Sequence, residues 1–458
     1  MVDRYAPIVR NFNFPLGMYL KGHGRFYRHY KELEKNQWLS EDEVKALQWS
    51  RLKTLLEHAY THQPHWKKVF KGLGMEPGDI KSMADFQKLP VLTKKDLQEN
   101  SDELLDPTLD KKSLIENASG GSTGEPTVFY QDTERNYRQA MDQIRHDRWS
   151  GWDIGEKFAI LWGANHEFKK YEKFMEKVNN ALFFRRIPLD AFDLTEDKMR
   201  TYLEVLKKEN PTVLQAYAQA MVLFAQFIER EKLSVKPLQL KGIISSAEKL
   251  YDHQRELIER VFNCKVFDRY GSREVGLVSS ECDKFEGVHL NADNVVVEFL
   301  KEDGIPCNPG ETGRVVVTDL WNKVMPFIRY DMGDMGIFLE EKCSCGRGFP
   351  LMKCVEGRTA DFIRLKNGKL IHGEYFTHLF YGVQGIREFQ LIQKTENHME
   401  FKIVKAGEVE EEKLEEAFKK MHAFMDASDI KIQISYVDKI EKPRSGKLRF
   451  TISEIPTL

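Results

Sequence analysis

Between residues 155 and 280 the chain alternates short apolar runs with amphipathic stretches, and this alternation restricts the fold more than any other feature. Phe158–Trp162, Val213–Ala216, Gly242–Ser246 and Val266–Tyr270 read as strands. The stretches near 165–180, 195–209, 217–231 and 250–262 read as helices. Such alternation implies α/β layers with substantial parallel sheet. Upstream, Ser40-Glu41-Asp42-Glu43 is a capping box that opens an amphipathic helix running to about residue 62. Downstream, Val295–Phe299 and Arg314–Thr318 are strand candidates among turn-rich loops. The pattern changes near Glu356-Gly357-Arg358. Beyond it, strands at 361–365, 369–372, 386–393, 399–404 and 431–437 surround a charged helix at 408–425. The boundary is therefore placed at Gly357. This gives a large N-terminal α/β domain over 1–357 and a small α+β domain over 358–458, a division that 458 residues readily accommodate.

Charge and hydropathy exclude several function classes. Lys and Arg number 69 against 71 Asp and Glu, so no strongly basic face is implied and nucleic acid is not an expected partner. No apolar stretch approaches the ~20 residues of a membrane span, and Met-Val-Asp-Arg-Tyr-Ala-Pro lacks the apolar core of a signal peptide. A cytoplasmic chain is expected, with its six cysteines as thiols or metal ligands rather than disulfides.

The most informative run for function is Ala118-Ser119-Gly120-Gly121-Ser122-Thr123-Gly124-Glu125-Pro126-Thr127. Its glycines and hydroxyls can curl tightly and point donors at one anion. A Walker loop would need Lys and Ser/Thr after the last glycine. A nucleophile elbow, whose G-x-S-x-G pattern Gly120–Gly124 matches, opens directly into a helix. Here Pro126 biases Glu125 towards extended backbone, and Thr127-Val128-Phe129-Tyr130 reads as a strand. A hairpin-like phosphate loop between strands fits better than either alternative.

Four further motifs follow in chain order. Ser245-Ser246-Ala247-Glu248 and Tyr270-Gly271-Ser272-Arg273-Glu274 each end a strand, where open α/β sheets bind ligands. Arg329-Tyr330-Asp331-Met332-Gly333-Asp334 sets two carboxylates beside a glycine turn, and Pro443-Arg444-Ser445-Gly446-Lys447 forms a loop. Singly, each has a bland reading: Tyr270 as a core aromatic, Asp334 as a turn residue, Lys447 as one exposed lysine among many. Together and in this order they carry more.

With these motifs the chain resembles the adenylate-forming superfamily of acyl- and aryl-CoA ligases, in its phenylacetate-CoA ligase and CapK-like branch. The resemblance runs from the helix near 41–62, through Leu89-Pro90-Val91-Leu92-Thr93-Lys94, to Lys447. It implies a large multi-layer N-terminal domain and a small mobile C-terminal domain with the site between them. It also implies that Ser119, Ser122, Thr123 and Gly124 bind the phosphates of ATP, with Ser246, Ala247 and Glu248 on the adenine side. Tyr270 and Gly271 then lie beside adenine and acyl group, Glu274 holds Mg²⁺, and Asp334 accepts from the ribose hydroxyls. Arg358 supports the nucleotide near the hinge, and Lys447 reaches the α-phosphate; Lys447, Glu274 and Thr123 are the catalytic candidates. Two positions depart from the family pattern. Glu125 stands where many relatives carry lysine, and Ala360-Asp361 stands where an Asp-Asp pair is usual.

Cys282, His289, Cys343 and Cys345 suggest a four-ligand Cys₃His zinc site, since Cys345-Gly346-Arg347 resembles the C-x-C-G-R segment of this branch. Cys354 is an alternative ligand, and unlinked thiols beside a core histidine are the competing reading. Cys264, Cys307 and His372 carry no signal. The expected activity is ATP-dependent conversion of a small carboxylic acid to an acyl-adenylate, followed by transfer to coenzyme A. Transfer to a saccharide or amine is an alternative, and a serine hydrolase built on Ser122 is the reading from another class. A monomer or homodimer is expected.

Overall fold

A computed structural model of the chain describes residues 3–119, 127–162, 174–191, 194, 196–353, 362–366, 370–372, 376, 379–380, 383–425, 430–441 and 450–455. Four strands fall where the apolar runs predicted them. β3 is Phe158–Trp162, β5 Val213–Tyr217, β6 Gly242–Ser246 and β7 Lys265–Ser272. They run parallel, with β4 (Arg186–Asp190) on the outer side of β3. Helices Glu196–Glu209, Ala218–Arg230 and Asp252–Phe262 connect them. Their apolar faces close a core that includes Leu203, Leu206, Phe224, Phe227 and Ile258 against Leu161, Leu214, Ile243 and Val266. This is the layered α/β arrangement that the sequence implied.

At β7 the sheet turns antiparallel. β8 (Gly276–Glu281), β9 (Val288–Leu290), β10 (Val295–Leu300), β11 (Thr312–Asp319), β12 (Tyr330–Leu339) and β13 (Leu351–Lys353) extend it to eleven strands. The spatial order is β10-β11-β12-β13-β9-β8-β7-β6-β5-β3-β4. The glycine turn expected around Gly333 is a distortion inside β12. Gly333 takes φ +67, and the β11–β12 register shifts between Arg314 and Val316.

A separate two-stranded sheet pairs β1 (Ile115–Ser119) with β2 (Thr127–Gln131), antiparallel, with Ser119 opposite Thr127. Near the C-terminus, β14 (Phe362–Arg364) pairs with β15 (Leu370–His372). β16 (Ile386–Thr395), β17 (His398–Lys405), β18 (Lys431–Tyr436) and β19 (Thr451–Ser453) form a four-stranded sheet, and the Glu411–Met425 helix follows β17. Phe380, Phe389, Phe401, Leu414 and Met421 belong to that region's own core. Among the described residues no helix is long and apolar enough to cross a membrane.

Candidate active site

The parallel strands β3, β5, β6 and β7 end on Trp162, Tyr217, Ser246 and the Tyr270–Ser272 segment. The register sets Tyr217 opposite Ser246 and Ser246 opposite Arg269, so the ends of β5 to β7 lie level. At Ala247 the chain leaves β6 with φ +67, a left-handed conformation that a residue with a Cβ seldom takes. Next to it, the rings of Trp162 and Tyr217 stack at 3.9 Å between centroids. The sequence reading did not single out this pair. The available signal was that each aromatic closes an apolar run at a strand's carboxyl end.

Tyr270 donates its hydroxyl to Asp334 Oδ2 at 2.8 Å and so joins two of the motifs picked out in the sequence. The following residue must be glycine for steric reasons. A Cβ on Gly271 would lie 2.4 Å from the Gly276 carbonyl oxygen, where β7 bulges against β8. Glu274 is buried, and its carboxylate has no hydrogen-bond or ion-pair partner among the described residues. Its loop is fastened to the β1–β2 hairpin twice. Gln131 Nε2 donates to the Glu274 carbonyl at 3.4 Å, and Arg273 Nη1 to the Ala118 carbonyl at 3.3 Å. Asn117 in turn donates to Gln131 Oε1 at 3.2 Å. The segment preceding Thr93 closes on β12, because Leu92 exchanges backbone hydrogen bonds with Arg329 and Asp331 at 2.9 Å each. Arg329, buried with φ +53, is held by the Glu298 carboxylate through Nε and Nη2 at 3.0 Å each.

The structure therefore brings together the loop's flanking strands, Glu274, Tyr270 and Asp334, while Ser246, Ala247 and Glu248 follow the neighbouring strand β6. Ser119 ends β1. Ser122, Thr123, Gly124 and Glu125 lie outside the described residues, as do Arg358, Ala360, Asp361 and Lys447.

The Thr133–Trp149 helix had no place in the sequence reading of the site, yet it braces β7. Arg269, beside Tyr270, donates to Asp147 at 2.8 Å, and Arg135 to Asp319 at 2.6 Å. Arg145 is fully buried between Asp142 at 2.6 Å and Asp293 at 2.8 Å. A second acidic pair, half-buried Asp268 and buried Glu281, stands nearby. Burial, then the neighbouring Glu281 carboxylate, raises the Asp268 carboxyl to about 7, although Arg255 opposes the shift.

The metal-ligand expectation also acquires geometry. Cys282, His289, Cys343 and Cys345 offer ligand atoms that all lie within 4.8 Å of one another. Cys282 Sγ is 3.6 Å from Cys343 Sγ, and Cys345 Sγ is 3.4 Å from His289 Nε2. Two thiolates on one tetrahedral zinc at ~2.3 Å would stand about 3.8 Å apart, whereas a disulfide would close to ~2.05 Å. His289 Nδ1 lies 3.2 Å from the Phe349 carbonyl, which fixes the proton there and leaves Nε2 facing the sulfurs. Burial alone would raise the Cys345 thiol, but His289 and the Arg347 backbone N–H bring it down to about 6. The donor set fits a closed tetrahedral ion. Cys354 lies outside the described residues.

Residues 363–454 match the CapK C-terminal domain family. Over 343 residues the chain is 26% identical to phenylacetate-coenzyme A ligase of Aromatoleum evansii, covering 74% of this chain and 76% of that one. Over 439 residues it is 24% identical to protein CapK of Staphylococcus aureus, covering 94% of each. The chain is thus similar over most of its length to phenylacetate-coenzyme A ligases and to protein CapK. Solved structures share the fold. A 2-hydroxyisobutyryl-CoA ligase in the postadenylation state superposes with a TM-score of 0.72 at 18% identity, covering 92% of each chain. O-succinylbenzoate coenzyme A synthetase of Bacillus subtilis, solved with ATP and magnesium, gives 0.53 at 15% identity, covering 73% of this chain and 68% of that one.

Proposed function

We propose that the protein is an AMP-forming acid–thiol ligase, which activates a carboxylic acid as its acyl-adenylate and passes the acyl group to coenzyme A. The observation that carries this reading is the joining of Tyr270 to Asp334, with Glu274 tied to the β1–β2 hairpin, at the carboxyl end of the parallel sheet. Catalysis then needs no general base. A carboxylic acid is ionised at neutral pH and attacks phosphorus directly, with pyrophosphate leaving. The barrier lies in bringing one anion to another and in the charge that develops on the leaving group.

The residues divide that task. Ser119, Ser122, Thr123 and Gly124 supply hydroxyl and amide donors to the phosphates, and Asp334, oriented by Tyr270, accepts from the ribose. Ser246, Ala247 and Glu248 border the adenine. Glu274, a buried carboxylate with no partner among the described residues, would hold Mg²⁺, which when bound neutralises phosphate charge. Because Glu125 puts a carboxylate where a loop cation would sit, the side-chain cation at the α-phosphate is Lys447, supported by Arg358. Residues 1–357 would form the adenylation domain and 358–458 the small domain that delivers Lys447. The stacked Trp162 and Tyr217 border the acid pocket and favour a planar or apolar acid.

Cys282, His289, Cys343 and Cys345 would hold a structural zinc, since four protein ligands leave no open position for substrate. Incubation with ATP, Mg²⁺ and a panel of aryl and fatty acids, with and without coenzyme A, tests the acceptor. Thioester formation supports the reading. Acid-dependent AMP formation that coenzyme A leaves unchanged would redirect it to a saccharide or amine acceptor.

A further inference from the structure

The helical run made of Ala6–Ile8, the π-turns of Val9–Asn13, and Phe14–Leu20 is apolar on two faces, and the fold covers only one of them. Ala6, Val9, Phe14 and Met18 are buried, the last two in a cluster with Phe26 and Trp152. On the outward side Ile8, Phe12, Leu16 and Leu20 follow one another at four-residue spacing, with Tyr19 beside them. A second segment widens this surface. The Asn180–Phe184 turn lies against the run: Tyr5 and Asn13 donate to the Leu182 carbonyl at 3.4 Å each, and Phe183 covers Gly17. Leu182 and Phe184 are left facing outward. These seven side chains are 43–78% exposed, so two separate stretches of sequence present large apolar groups to solvent side by side.

Along the N-terminal stretch itself the sequence charges are of one sign. From Arg4 to Lys31 the sequence contains Arg4, Arg10, Lys21, Arg25, Arg28 and Lys31 and no Asp or Glu, in a chain whose net charge is −2. The nearest carboxylates are engaged elsewhere. Asp3 pairs with Arg185 at 2.6 Å, Glu32 with Arg51 at 2.8 Å, and Glu34 with Arg148. Arg10 is likewise taken up by Asp153 at 3.1 Å, and Arg25 stands 3.6 Å from Glu134. The rim cations are Arg4, one turn before Ile8; Lys21, whose ammonium lies 5.6 Å from the Phe183 ring; and Lys31, 5.4 Å from the ring of Tyr27, which meets Tyr19 at 6.2 Å.

We infer that this face lies on an anionic lipid surface, with Phe12, Leu16 and Leu20 inserted among acyl chains and Arg4, Lys21 and Lys31 against the headgroups. An apolar helix face edged by cations and aromatics is the pattern of an interfacial helix that lies in the membrane plane without spanning it. A second copy of the chain suits the surface less well, because a two-fold contact lays each basic rim against its own like charge.

Co-sedimentation of the full chain with phosphatidylcholine vesicles, with and without phosphatidylglycerol, tests this and needs no catalytic activity. The protein should pellet with anionic vesicles at low salt, and about 0.5 M salt should release it. Lys21→Ala with Lys31→Ala should lower the partition coefficient about twenty-fivefold, at about fivefold per cation. Phe12→Ser with Leu20→Ser should abolish binding with the melting temperature unchanged, since both side chains are exposed. Failure to pellet, or equal pelleting with neutral vesicles, overturns the inference. So does a dimer in light scattering that Phe12→Ser with Leu20→Ser dissolves while vesicle binding is absent.

Discussion

Replacing Tyr270 with phenylalanine removes one oxygen and tests whether the two motifs it joins act as a unit. In the structure the phenol donates to Asp334 Oδ2 at 2.8 Å, and Tyr270 is half-buried near the carboxyl end of β7. A hydrogen bond to a carboxylate contributes about 1.5–3 kcal/mol. Partial exposure favours the lower end, and ~1.5 kcal/mol corresponds to about a tenfold change in affinity. If Asp334 accepts the ribose hydroxyls, the loss falls on nucleotide binding. The KM for ATP, measured by acid-dependent ATP–pyrophosphate exchange, should rise about tenfold with kcat held within about twofold. Asp334→Ala should raise the same KM at least as far, and the double variant should lose little beyond the worse single one. An unchanged KM in Tyr270→Phe, or fully additive losses, would refute the reasoning.

Three other outcomes follow from the same geometry. Purified protein should carry close to one zinc per chain by elemental analysis, and Cys343→Ser should lose it and destabilise the β9–β13 region; full retention of zinc in that variant would remove Cys343 from the ligand set. Asp268 has its folded pKa raised to about 7 from 3.8, so the folded state binds the extra proton and stability falls as pH rises through that window. Asp268→Asn should therefore match wild type in urea melts near pH 4 and exceed it by about 1 kcal/mol or more near pH 8; equal stability at both ends would contradict the assignment. Arg145→Met leaves Asp142 and Asp293 buried without their shared cation and should cost about 3–5 kcal/mol in urea denaturation, whereas a loss below 1 kcal/mol would show the pair relaxing to solvent.

Where the sequence was legible, a local pattern mirrored a tertiary requirement. Pro126 and the Thr127–Tyr130 run announced a strand after the glycine loop, and β2 pairs back on β1 as a hairpin requires. The apolar runs of β3, β5, β6 and β7 were readable because both their faces are covered. β4 was missed because Pro188 argues against a strand, yet β4 is the sheet's edge, where proline is tolerated. β12 looked like a turn because its glycines and aspartates lower strand propensity, and its neighbours β11 and β13 supply the ladder that propensity could not. The helix at Thr133–Trp149 is rich in polar and charged residues. Its buried Arg135, Asp142, Arg145 and Asp147 find partners in Asp319, Asn291, Asp293 and Arg269, far away in sequence. The N-terminal run escaped because Pro7 and Pro15 interrupt it and apolar residues on two faces blur the helical period. In the site, Glu274, Tyr270 and Asp334 were named from their motifs, but the Trp162–Tyr217 stack needed two strand ends set side by side.

The central claim is that this chain joins AMP to a carboxylic acid with Lys447 as the cation at the α-phosphate. Acid-dependent ATP–pyrophosphate exchange on wild type and Lys447→Ala tests it most directly. Exchange should appear in wild type only when an accepted acid is present, and Lys447→Ala should slow it on the order of a hundredfold or more with the fold intact. Exchange by Lys447→Ala at the wild-type rate would contradict the assignment of the lysine. Absence of exchange across aryl, fatty and amino acids, with Ser122 labelled by a fluorophosphonate, would contradict the ligase itself.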